Sequence, residues 1–457
     1  MSSTGSADSR RQTDAEARKA ALAGVVPGEG EPTSLVSYLS HGRVLIVGRE
    51  ADVAAAAQRV GGDLEPWLWI TGPGNPVRRD KGGQQRVEGG NPDVTGNLGQ
   101  FIVLVGEGGI AAGPDRLLGE RGGRFDLVLD LREEPALSAP VLPVGYYAPR
   151  GDESALEAAL EQLPEMTGEF EKPKFFNYDP DICAHGRSGI SGCTRCIDAC
   201  PTQAIVSAGE QVEVNPYLCQ GGGSCVAACP SGAMTYAFPK VTDLMAHVRA
   251  LLDAYEEAGG GDPSLVFVDE HSADGVRARL DDDLPAGLIP VEVEEIGSLG
   301  LDVWLDCLAY GARSVILASS AATPKPVIDT LDAQLEVAAV LLSGMGFPGG
   351  AIARWPADGS DFPGTDETVS LERPARFAVP DEKRTTLRLA INHLHAQAPS
   401  PRKTIDMPAH APFGEVRVDS KACTLCMSCV GQCPTAALAD GSGLPQLNFT
   451  EWNCVQC

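Results

Sequence analysis

The stretch from Cys183 to Pro201 reads C-A-H-G-R-S-G-I-S-G-C-T-R-C-I-D-A-C-P, and the stretch from Cys219 to Pro230 reads C-Q-G-G-G-S-C-V-A-A-C-P. Both stretches end on a Cys-Pro pair. A related run lies near the C-terminus and is written Cys423-x2-Cys426-x2-Cys429-x3-Cys433-Pro434. The rest of the chain is interpreted outward from these cysteines.

The grouping C-x2-C-x3-C-P is typical of ligands of an iron–sulfur cluster. A compact run of three cysteines binds one cluster, and the cysteine before the proline serves the other cluster of a pair. Proline ends the loop without adding a backbone donor that would need a partner. Structural zinc is the alternative, but it favours two separated C-x2-C pairs around a tetrahedral ion, which does not account for this grouping.

A repeated segment precedes each cysteine group. In each copy two apolar residues flank one other residue, and a turn-forming polar residue comes next. Three residues then separate that polar residue from a cysteine. The four copies are Phe176–Asp179 before Cys183, Val212–Asn215 before Cys219, Val416–Asp419 before Cys423 and Leu447–Thr450 before Cys454. After three of the Cys-Pro pairs the chain repeats again, at Thr202–Ile205, Ser231–Met234 and Thr435–Leu438. We therefore predict four half-modules of one design, each with a short strand, a turn and a ligand.

Both cysteine regions resemble the modules of bacterial two-cluster ferredoxins, over residues 175–240 and 415–457. We call residues 171–240 the first cysteine module and residues 415–457 the second. The resemblance implies a first site with the ligands Cys183, Cys193, Cys196 and Cys229. It implies a second site with Cys219 and Cys225, to which Cys200 crosses over. In the second module Cys423, Cys426 and Cys429 supply a third site, and Cys433, Cys454 and Cys457 begin a fourth.

The first departure from this pattern is an insertion between Cys183 and Cys193, where nine residues stand in place of two. The insertion contains His185 and Arg187. Such a loop can bulge outward and still return a thiolate, so we expect a [4Fe–4S] cluster at the first site. His185 as a replacement ligand is the alternative, and we favour a histidine that lies at the surface or beside the ligands.

The second departure is Gly222, which occupies the position of the second cysteine between Cys219 and Cys225. Glycine offers no ligand, so three thiolates remain at the second site, as a three-iron cluster needs. We predict a [3Fe–4S] cluster there. The alternatives are a labile [4Fe–4S] cluster with an outside ligand and complete loss of the cluster.

The second module ends at Cys457, before the x2-Cys-x3-Cys-Pro that its sister segments lead one to expect. As written, the third site lacks its crossing ligand and the fourth lacks one of its own. We expect the sequence to be a fragment of a longer protein; if it is complete, this module is half-assembled.

Strands alternating with helices predict two α/β domains, at 35–170 and 241–375. We predict a disordered tail at 1–34, an exposed loop over Thr71–Gly99, and a helix with a Pro-rich linker at 376–414. Gly106–Gly109 is interpreted as a turn, because the dinucleotide pattern G-x-G-x-x-G is incomplete. The predicted fold class is α+β multidomain, with two ferredoxin-like dicluster modules, the second incomplete, interleaved with the two α/β domains.

Gly300–Ala312 resembles the small delta-type subunit that links hydrogenases to heterodisulfide reductases. That family carries a [2Fe–2S] cluster on several cysteines. Here only Cys307 occurs, on an apolar helix face, so we interpret it as a core thiol in a docking domain. The domain order also resembles the multi-cluster ferredoxin-type proteins that accompany bacterial formate dehydrogenases. That resemblance implies a formate dehydrogenase-type oxidoreductase as the redox partner.

Composition narrows the class of protein. The net charge of −26 argues against a nucleic-acid partner and favours docking on a basic patch of a protein. No run of apolar residues is long enough for a membrane span. The cysteines are grouped as ligands and no signal peptide is visible, so we expect the reducing cytoplasm.

The sequence predicts an electron-transfer protein. No Ser/His/Asp set, P-loop or H-E-x-x-H motif points to a catalytic site, so enzyme activity is left open. The function that we predict is relay of single electrons through several clusters to or from a partner oxidoreductase. The alternative is an accessory, assembly or redox-sensing iron–sulfur protein of a dehydrogenase complex. A flavin- or nucleotide-binding enzyme that uses the N-terminal α/β unit is a third hypothesis.

Overall fold

The structure is a computed structural model, and it describes residues 4–26, 28, 34–104, 124–279, 284–357, 361–362, 364 and 367–457. Gly106–Gly109, interpreted above as a turn, lies outside the described residues. The protein is of mixed α/β type. Within the described part of the chain, no helix combines the length and apolarity that crossing a membrane requires.

The N-terminal part is built on a mainly parallel sheet. Its helices are α1 (Thr4–Gly24), α2 (Glu50–Arg59) and α3 (Glu153–Gln162). Its strands are β1 (Leu35–Ser40), β2 (Arg43–Gly48), β3 (Glu65–Ile70), β4 (Gly72–Arg78), β5 (Gln85–Gly90), β6 (Asp93–Thr95), β7 (Phe101–Leu104), β8 (Arg124–Phe125), β9 (Leu127–Asp130), β10 (Tyr146–Tyr147) and β11 (Gly168–Pro173). Six of them form one sheet in the order β10-β9-β2-β3-β5-β4, in which only β4 runs antiparallel to its neighbour. Strand β2 is buried along its whole length because apolar clusters cover both faces of the sheet.

The prediction of an exposed loop over Thr71–Gly99 is wrong. The segment contains β4, β5 and β6, and β5 pairs in parallel with β3. Val87 and Val94 each bury their side chains, and Gly89 accepts a hydrogen bond of 3.1 Å from the Trp69 indole. A few buried apolar residues are enough to fix these strands, although glycine, proline and charged residues dominate the segment.

The first cysteine module consists of short elements around its cysteines. Its helices are α4 (Arg195–Asp198) and α5 (Ser224–Ala228). Its strands are β12 (Phe176–Tyr178), β13 (Gly186–Arg187), β14 (Ile190–Ser191), β15 (Ile205–Ala208), β16 (Gln211–Val214) and β17 (Met234–Tyr236). The outer strands β12 and β17 pair antiparallel, β15 and β16 form a hairpin, and β13 and β14 form a second hairpin within the insertion.

The second α/β part contains a parallel sheet in the order β19-β18-β20-β21. Its strands are β18 (Ser264–Val268), β19 (Leu288–Glu292), β20 (Ser314–Ser319) and β21 (Ile352–Pro356). Its helices are α6 (Val241–Glu257), α7 (Glu270–Arg277), α8 (Leu301–Ala309), α9 (Lys325–Met345) and α10 (Lys383–Ala396). Cys307 is fully buried in α8, which confirms its interpretation as a core thiol. Helix α10, predicted to lie beyond this domain, contributes Leu387, Ala390 and Leu394 to the same core.

The N-terminal helix α1 packs on the second α/β part. Ala17 and Ala21, one helical turn apart, are buried in the core that α6 also lines. Asp14 accepts a hydrogen bond from the Gly261 amide at 3.0 Å. The predicted disordered tail is therefore wrong for residues 4–24, because small alanine side chains allow a close helix contact that a count of large apolar residues misses.

The second cysteine module contains α11 (Ser428–Gln432) and the hairpin of β22 (Leu438–Gly441) with β23 (Leu444–Phe449). This hairpin corresponds to β15 and β16 of the first module. Residues 416–418, predicted as a strand, form none. In the first module the equivalent strand β12 pairs with β17, and no described residue of the second module takes the place of β17.

Candidate iron–sulfur sites

The four cysteines predicted for the first site surround one cavity, whose lining includes Cys183, Cys193, Cys196 and Cys229. They come from different elements: the end of the turn after β12, the end of the insertion, α4 and the end of α5. Burial raises the pKa of Cys196 to about 12, and the other three thiols add to that shift. The structure thus brings together the four residues that the sequence analysis grouped.

The second site lies directly beside the first. Burial raises the pKa of Cys225 well above its ordinary value, and the neighbouring thiols Cys219 and Cys200 add to the shift, as do Cys196 and Cys229 of the first site. The thiols of Cys219 and Cys200 therefore lie near Cys225, next to the first site.

Gly222 lies in the loop between Cys219 and Cys225. A Cβ atom placed on Gly222 would have Pro201 as its nearest neighbour, at an ordinary contact distance of 3.8 Å. Crowding therefore does not exclude a side chain here. The next residue differs, because a Cβ on Gly223 would lie 2.4 Å from the Cβ of Ser298.

Hydrogen-bond donors point at the sulfur of each cysteine that precedes a proline. The amides of Ala204, Met234 and Ala437 donate to the sulfurs of Cys200, Cys229 and Cys433, at 3.3, 3.5 and 3.2 Å. Hydroxyls two residues beyond each cysteine lie near the same sulfurs, with Thr202 at 3.4 Å, Ser231 at 3.7 Å and Thr435 at 3.8 Å. The repeat found after the Cys-Pro pairs therefore places an amide donor and a hydroxyl beside each of these sulfurs, and hydrogen bonds to sulfur tune the reduction potential of iron–sulfur sites.

The polar residue ahead of each cysteine group forms a turn, as predicted. The carboxylates of Asp179 and Asp419 and the side-chain oxygen of Asn215 each accept a hydrogen bond from the amide two residues later, at 2.9 Å. This turn redirects the chain from the preceding segment toward the first ligand.

His185 is 2% exposed and anchors the insertion. Its Nδ1 lies 2.8 Å from the Cys193 carbonyl oxygen, and its Nε2 lies 2.7 Å from the Ser207 hydroxyl. Both ring nitrogens have partners, so the structure supports a residue that positions the ligand loop. It lies in the interior, which corrects the surface alternative.

The donor set fits iron–sulfur clusters. Thiols with raised pKa values stay protonated without metal and must release protons when they bind it. Among the described residues, no three Cys, His, Asp or Glu side chains converge closely enough to bind a single metal ion. The first-site thiols instead form the walls of a cavity, as a group with several iron atoms requires, since each iron takes its own thiolate.

Two neighbouring regions enclose the second site. From the N-terminal part, the Lys172 ammonium donates to the backbone oxygen of Cys219, and Leu142 accepts a hydrogen bond of 2.7 Å from the Gln220 amide. From the second α/β part, Ser298 packs against Gly223. Burial lowers the pKa of Lys172 to about 8, and Cys219 opposes that shift. No sequence motif marked Lys172, because it approaches the site through the pairing of β1 with β11.

The second cysteine module is more open. Cys423, Cys426 and Cys429 are exposed; the first two lie in the loop before α11, and Cys429 lies in the first turn of that helix. The hydrogen bond between the Cys426 sulfur and the Ser428 hydroxyl, with further bonds from the Ser428 amide and from Thr424, lowers the pKa of Cys426. Burial raises the pKa of Cys457, and the neighbouring thiols of Cys433 and Cys454 add to that shift.

Comparison with known proteins agrees with this geometry. Residues 176–230 match a family described as a 4Fe-4S dicluster domain. The matched segment contains all of the cysteines of the first and second sites. No match was found among the curated proteins. Residues 176–230 are similar to 4Fe-4S dicluster domains, and this similarity suggests iron–sulfur electron transfer. The resemblances to formate dehydrogenase proteins and to the delta-type subunit stay predictions.

Proposed function

We propose that the chain relays single electrons through several iron–sulfur clusters to or from a partner oxidoreductase. The observation that carries this proposal is the cavity lined by four thiols, with three further thiols beside it, inside the segment that matches a dicluster family. A cluster bound there supplies a centre that takes up and releases one electron. The protein holds the thiolates, excludes water by burying them, and directs amide and hydroxyl donors at their sulfurs.

The proposed ligands follow the sets of the sequence analysis. The first site would hold a [4Fe–4S] cluster on Cys183, Cys193, Cys196 and Cys229. The second would hold a [3Fe–4S] cluster on Cys200, Cys219 and Cys225, since Gly222 supplies no fourth thiolate. The third and fourth sites would use the cysteines of the second module.

The proposed partner is a redox protein, of the formate dehydrogenase type according to the domain order. A chain with a net charge of −26 favours a partner with a basic docking face, because opposite charges speed the encounter. The second α/β part would serve as a docking domain, and the reducing cytoplasm would suit the unpaired thiols.

Rapid mixing of the anaerobic, cluster-loaded chain with a reduced partner dehydrogenase tests this function. We expect stoichiometric reduction, visible as bleaching of the cluster absorbance, at rates comparable with the turnover of the dehydrogenase. Higher salt should slow the reaction, because it screens the charges that steer docking. Slow reduction, or none, would contradict an electron-transfer role.

A second candidate function is redox sensing or assembly for a dehydrogenase complex. It is favoured by the exposure of the third-site thiols together with the lowered pKa of Cys426, since exposed thiolates are the reactive form of cysteine. Under this function, brief exposure to oxidant would release iron from the second module and change the binding of the partner. The rapid-mixing experiment would then show no fast reduction.

A further inference from the structure

Three arginines outside the second cysteine module donate hydrogen bonds to its backbone around the fourth site. Arg187 donates to the Cys433 carbonyl at 3.1 Å, and Arg195 donates to the Gln456 carbonyl at 3.2 Å. Arg384, on α10, donates to the Trp452 carbonyl at 2.6 Å and to the Cys454 carbonyl at 3.2 Å. Hydrogen bonds from a charged donor are about twice as strong as neutral ones, so these contacts hold the fourth site in place.

Arg195 stands between the first and fourth sites. Arg195 directly precedes Cys196 of the first site, and the Gln456 carbonyl to which it donates directly precedes Cys457 of the fourth site. One guanidinium therefore joins the backbone next to a cysteine of each site. A Cβ atom placed on Gly192 would lie 3.7 Å from the Cβ of Cys457, so the backbone next to Cys193 is in contact range of a fourth-site cysteine.

The insertion between Cys183 and Cys193 builds the surface that makes this contact. His185 fixes the base of the hairpin β13–β14, and Glu210 accepts a hydrogen bond of 2.8 Å from the Gly189 amide at its tip. The hairpin presents Arg187 to Cys433. The extra residues, a departure from the usual ligand spacing, thus have a structural use at the junction of the two modules.

We propose that the insertion hairpin and Arg195 form an internal docking surface, which fixes the fourth site beside the first so that single electrons cross between the two modules there. The inference rests on the proposed electron-transfer function and adds a path to it. The sites would follow one another in the order second, first, fourth, third. At the crossing, a cluster held at one site would be oxidised as a cluster held at the other is reduced, and no bond would be made or broken.

This order gives the two ends of the path different surroundings. The second site is enclosed by both α/β parts, and the third-site cysteines are exposed. An external redox protein would therefore exchange electrons at the third site. Arg195 acts here as a positioning residue, since it donates to the Gln456 and Ala411 carbonyls.

The test compares the cluster-loaded full chain with its Arg195→Gln variant and with the control Arg277→Gln. Arg277 lies on α7 and pairs with Asp274 and Glu292, away from both modules. After reduction with dithionite, we expect EPR of the unsubstituted chain and of the control to show magnetic coupling between clusters of the two modules. We expect Arg195→Gln to lose this coupling at unchanged iron content, with faster hydrogen exchange of the amides at 454–457.

If Arg195→Gln lowers the iron content, Arg187→Gln carries the test, because Arg187 reaches the second module only through the backbone carbonyl of Cys433 and has no predicted ligand beside it in the sequence. The expected result is again loss of coupling, here with faster exchange of the amides around Cys433. Absence of coupling in the unsubstituted chain, or coupling and exchange unchanged in both variants, would overturn the proposal. Dithionite reduces clusters whatever their physiological role, so failure here is distinguishable from slow reduction by a dehydrogenase, which would count against the proposed function alone.

Discussion

The two cysteine modules share one sequence design and differ in what surrounds them. Cys196 and Cys229 of the first module are 9% and 7% exposed and belong to an apolar cluster with Met234. In the second module Cys423 and Cys426 are exposed. The comparison shows that the spacing of the cysteines sets the local turns, whereas the rest of the chain sets the environment of the thiols.

The local geometry is the same where the spacing is the same. Gly223, before α5, and Met427, before α11, both adopt left-handed backbone angles, with φ of 70° and 61°. At Gly223 the contact with Ser298 leaves no room for a side chain, so this position requires glycine. Met427 has a more open environment and carries a side chain in the same conformation.

The pKa shifts of Cys426 and Cys433 in the second module run opposite to those of the first module, whereas burial raises the pKa of Cys457 as it does there. Burial raises the pKa values of Cys193, Cys196, Cys219 and Cys225 in the first module. In the second module Cys426 has a lowered pKa because hydrogen bonding to Ser428 favours the thiolate. For Cys433 burial opposes the shift, and donors from Leu438, Thr435 and Ala437 still lower the pKa. The cysteines predicted as ligands in the two modules therefore differ in their affinity for protons, although all of them are thiols.

The largest expected effect is the difference in destabilisation between replacing a buried predicted ligand and replacing an exposed one. Cys196→Ser should lose the first cluster and destabilise the folded chain by roughly 4 kcal/mol or more, because loss of a metal centre inside a core belongs to the most damaging classes of substitution. Cys426→Ser should release iron from the third site and leave thermal unfolding of the rest almost unchanged. Calorimetry with iron analysis measures both. Equal destabilisation by the two substitutions would remove the distinction between the modules.

The second prediction concerns thiol reactivity in the metal-free chain. Near pH 7.5 iodoacetamide should alkylate Cys426 at least about tenfold faster than Cys225, since each unit of pKa changes the thiolate fraction about tenfold. As the pH rises, the rate for Cys426 should level off below the ordinary cysteine pKa, and Cys225 should react only at much higher pH. Mass spectrometry of pulse-labelled peptides gives both rates. Similar pH profiles would show that the environments do not differ as described.

The third prediction concerns a substitution that restores, at the second site, the cysteine spacing found in the second module. Gly222→Cys places a thiol where Cys426 stands in Cys423–Cys433, and the 3.8 Å contact with Pro201 accommodates it. The substitution should convert a three-iron EPR signal of the oxidised chain into a [4Fe–4S] signal after reduction. Gly222→Ala is the matched control and should keep the three-iron signal. A spectrum that is identical in all three proteins would contradict the assignment of Gly222 as a missing ligand.

The smallest effect is expected from the hydroxyls near sulfur. Thr202→Val removes a donor that lies 3.4 Å from Cys200 and is buried, whereas Thr435→Val removes one at 3.8 Å from the half-buried Cys433. Both should lower the midpoint potential of the site concerned, because donors to sulfur stabilise the reduced, more negative cluster. The buried position should shift more. Redox titration followed by EPR measures the two shifts, and a larger shift at Thr435 would reverse the expected order.

Structural features set by neighbouring residues were predicted correctly. Features that depend on contacts between residues distant in the sequence were not. The turn at Asp179 follows from neighbouring residues, and so do the strand at Ser264–Val268 and the helix at Val241–Glu257. The predicted strand at 416–418 does not form, because a strand needs a partner. Residues such as Lys172 and Arg384 reach the sites from other parts of the fold, so no spacing in the sequence marks them.

The proximity of the thiols could be predicted because cysteine spacing encodes it: the four first-site cysteines line one cavity, and Cys219 and Cys200 lie near Cys225 beside it. Which of these thiols bind a cluster stays a prediction. The role of the insertion could not be predicted, because its use lies in the contact of Arg187 with Cys433, more than two hundred residues away in the sequence.

Iron and acid-labile sulfide analysis combined with EPR, on the chain purified without oxygen, shows directly whether these cysteines bind iron–sulfur clusters. We expect iron and sulfide in similar amounts, a [4Fe–4S] signal after reduction from the first site, and a three-iron signal in the oxidised chain from the second. Zinc in place of iron, or iron without sulfide, would contradict the claim that these cysteines bind iron–sulfur clusters.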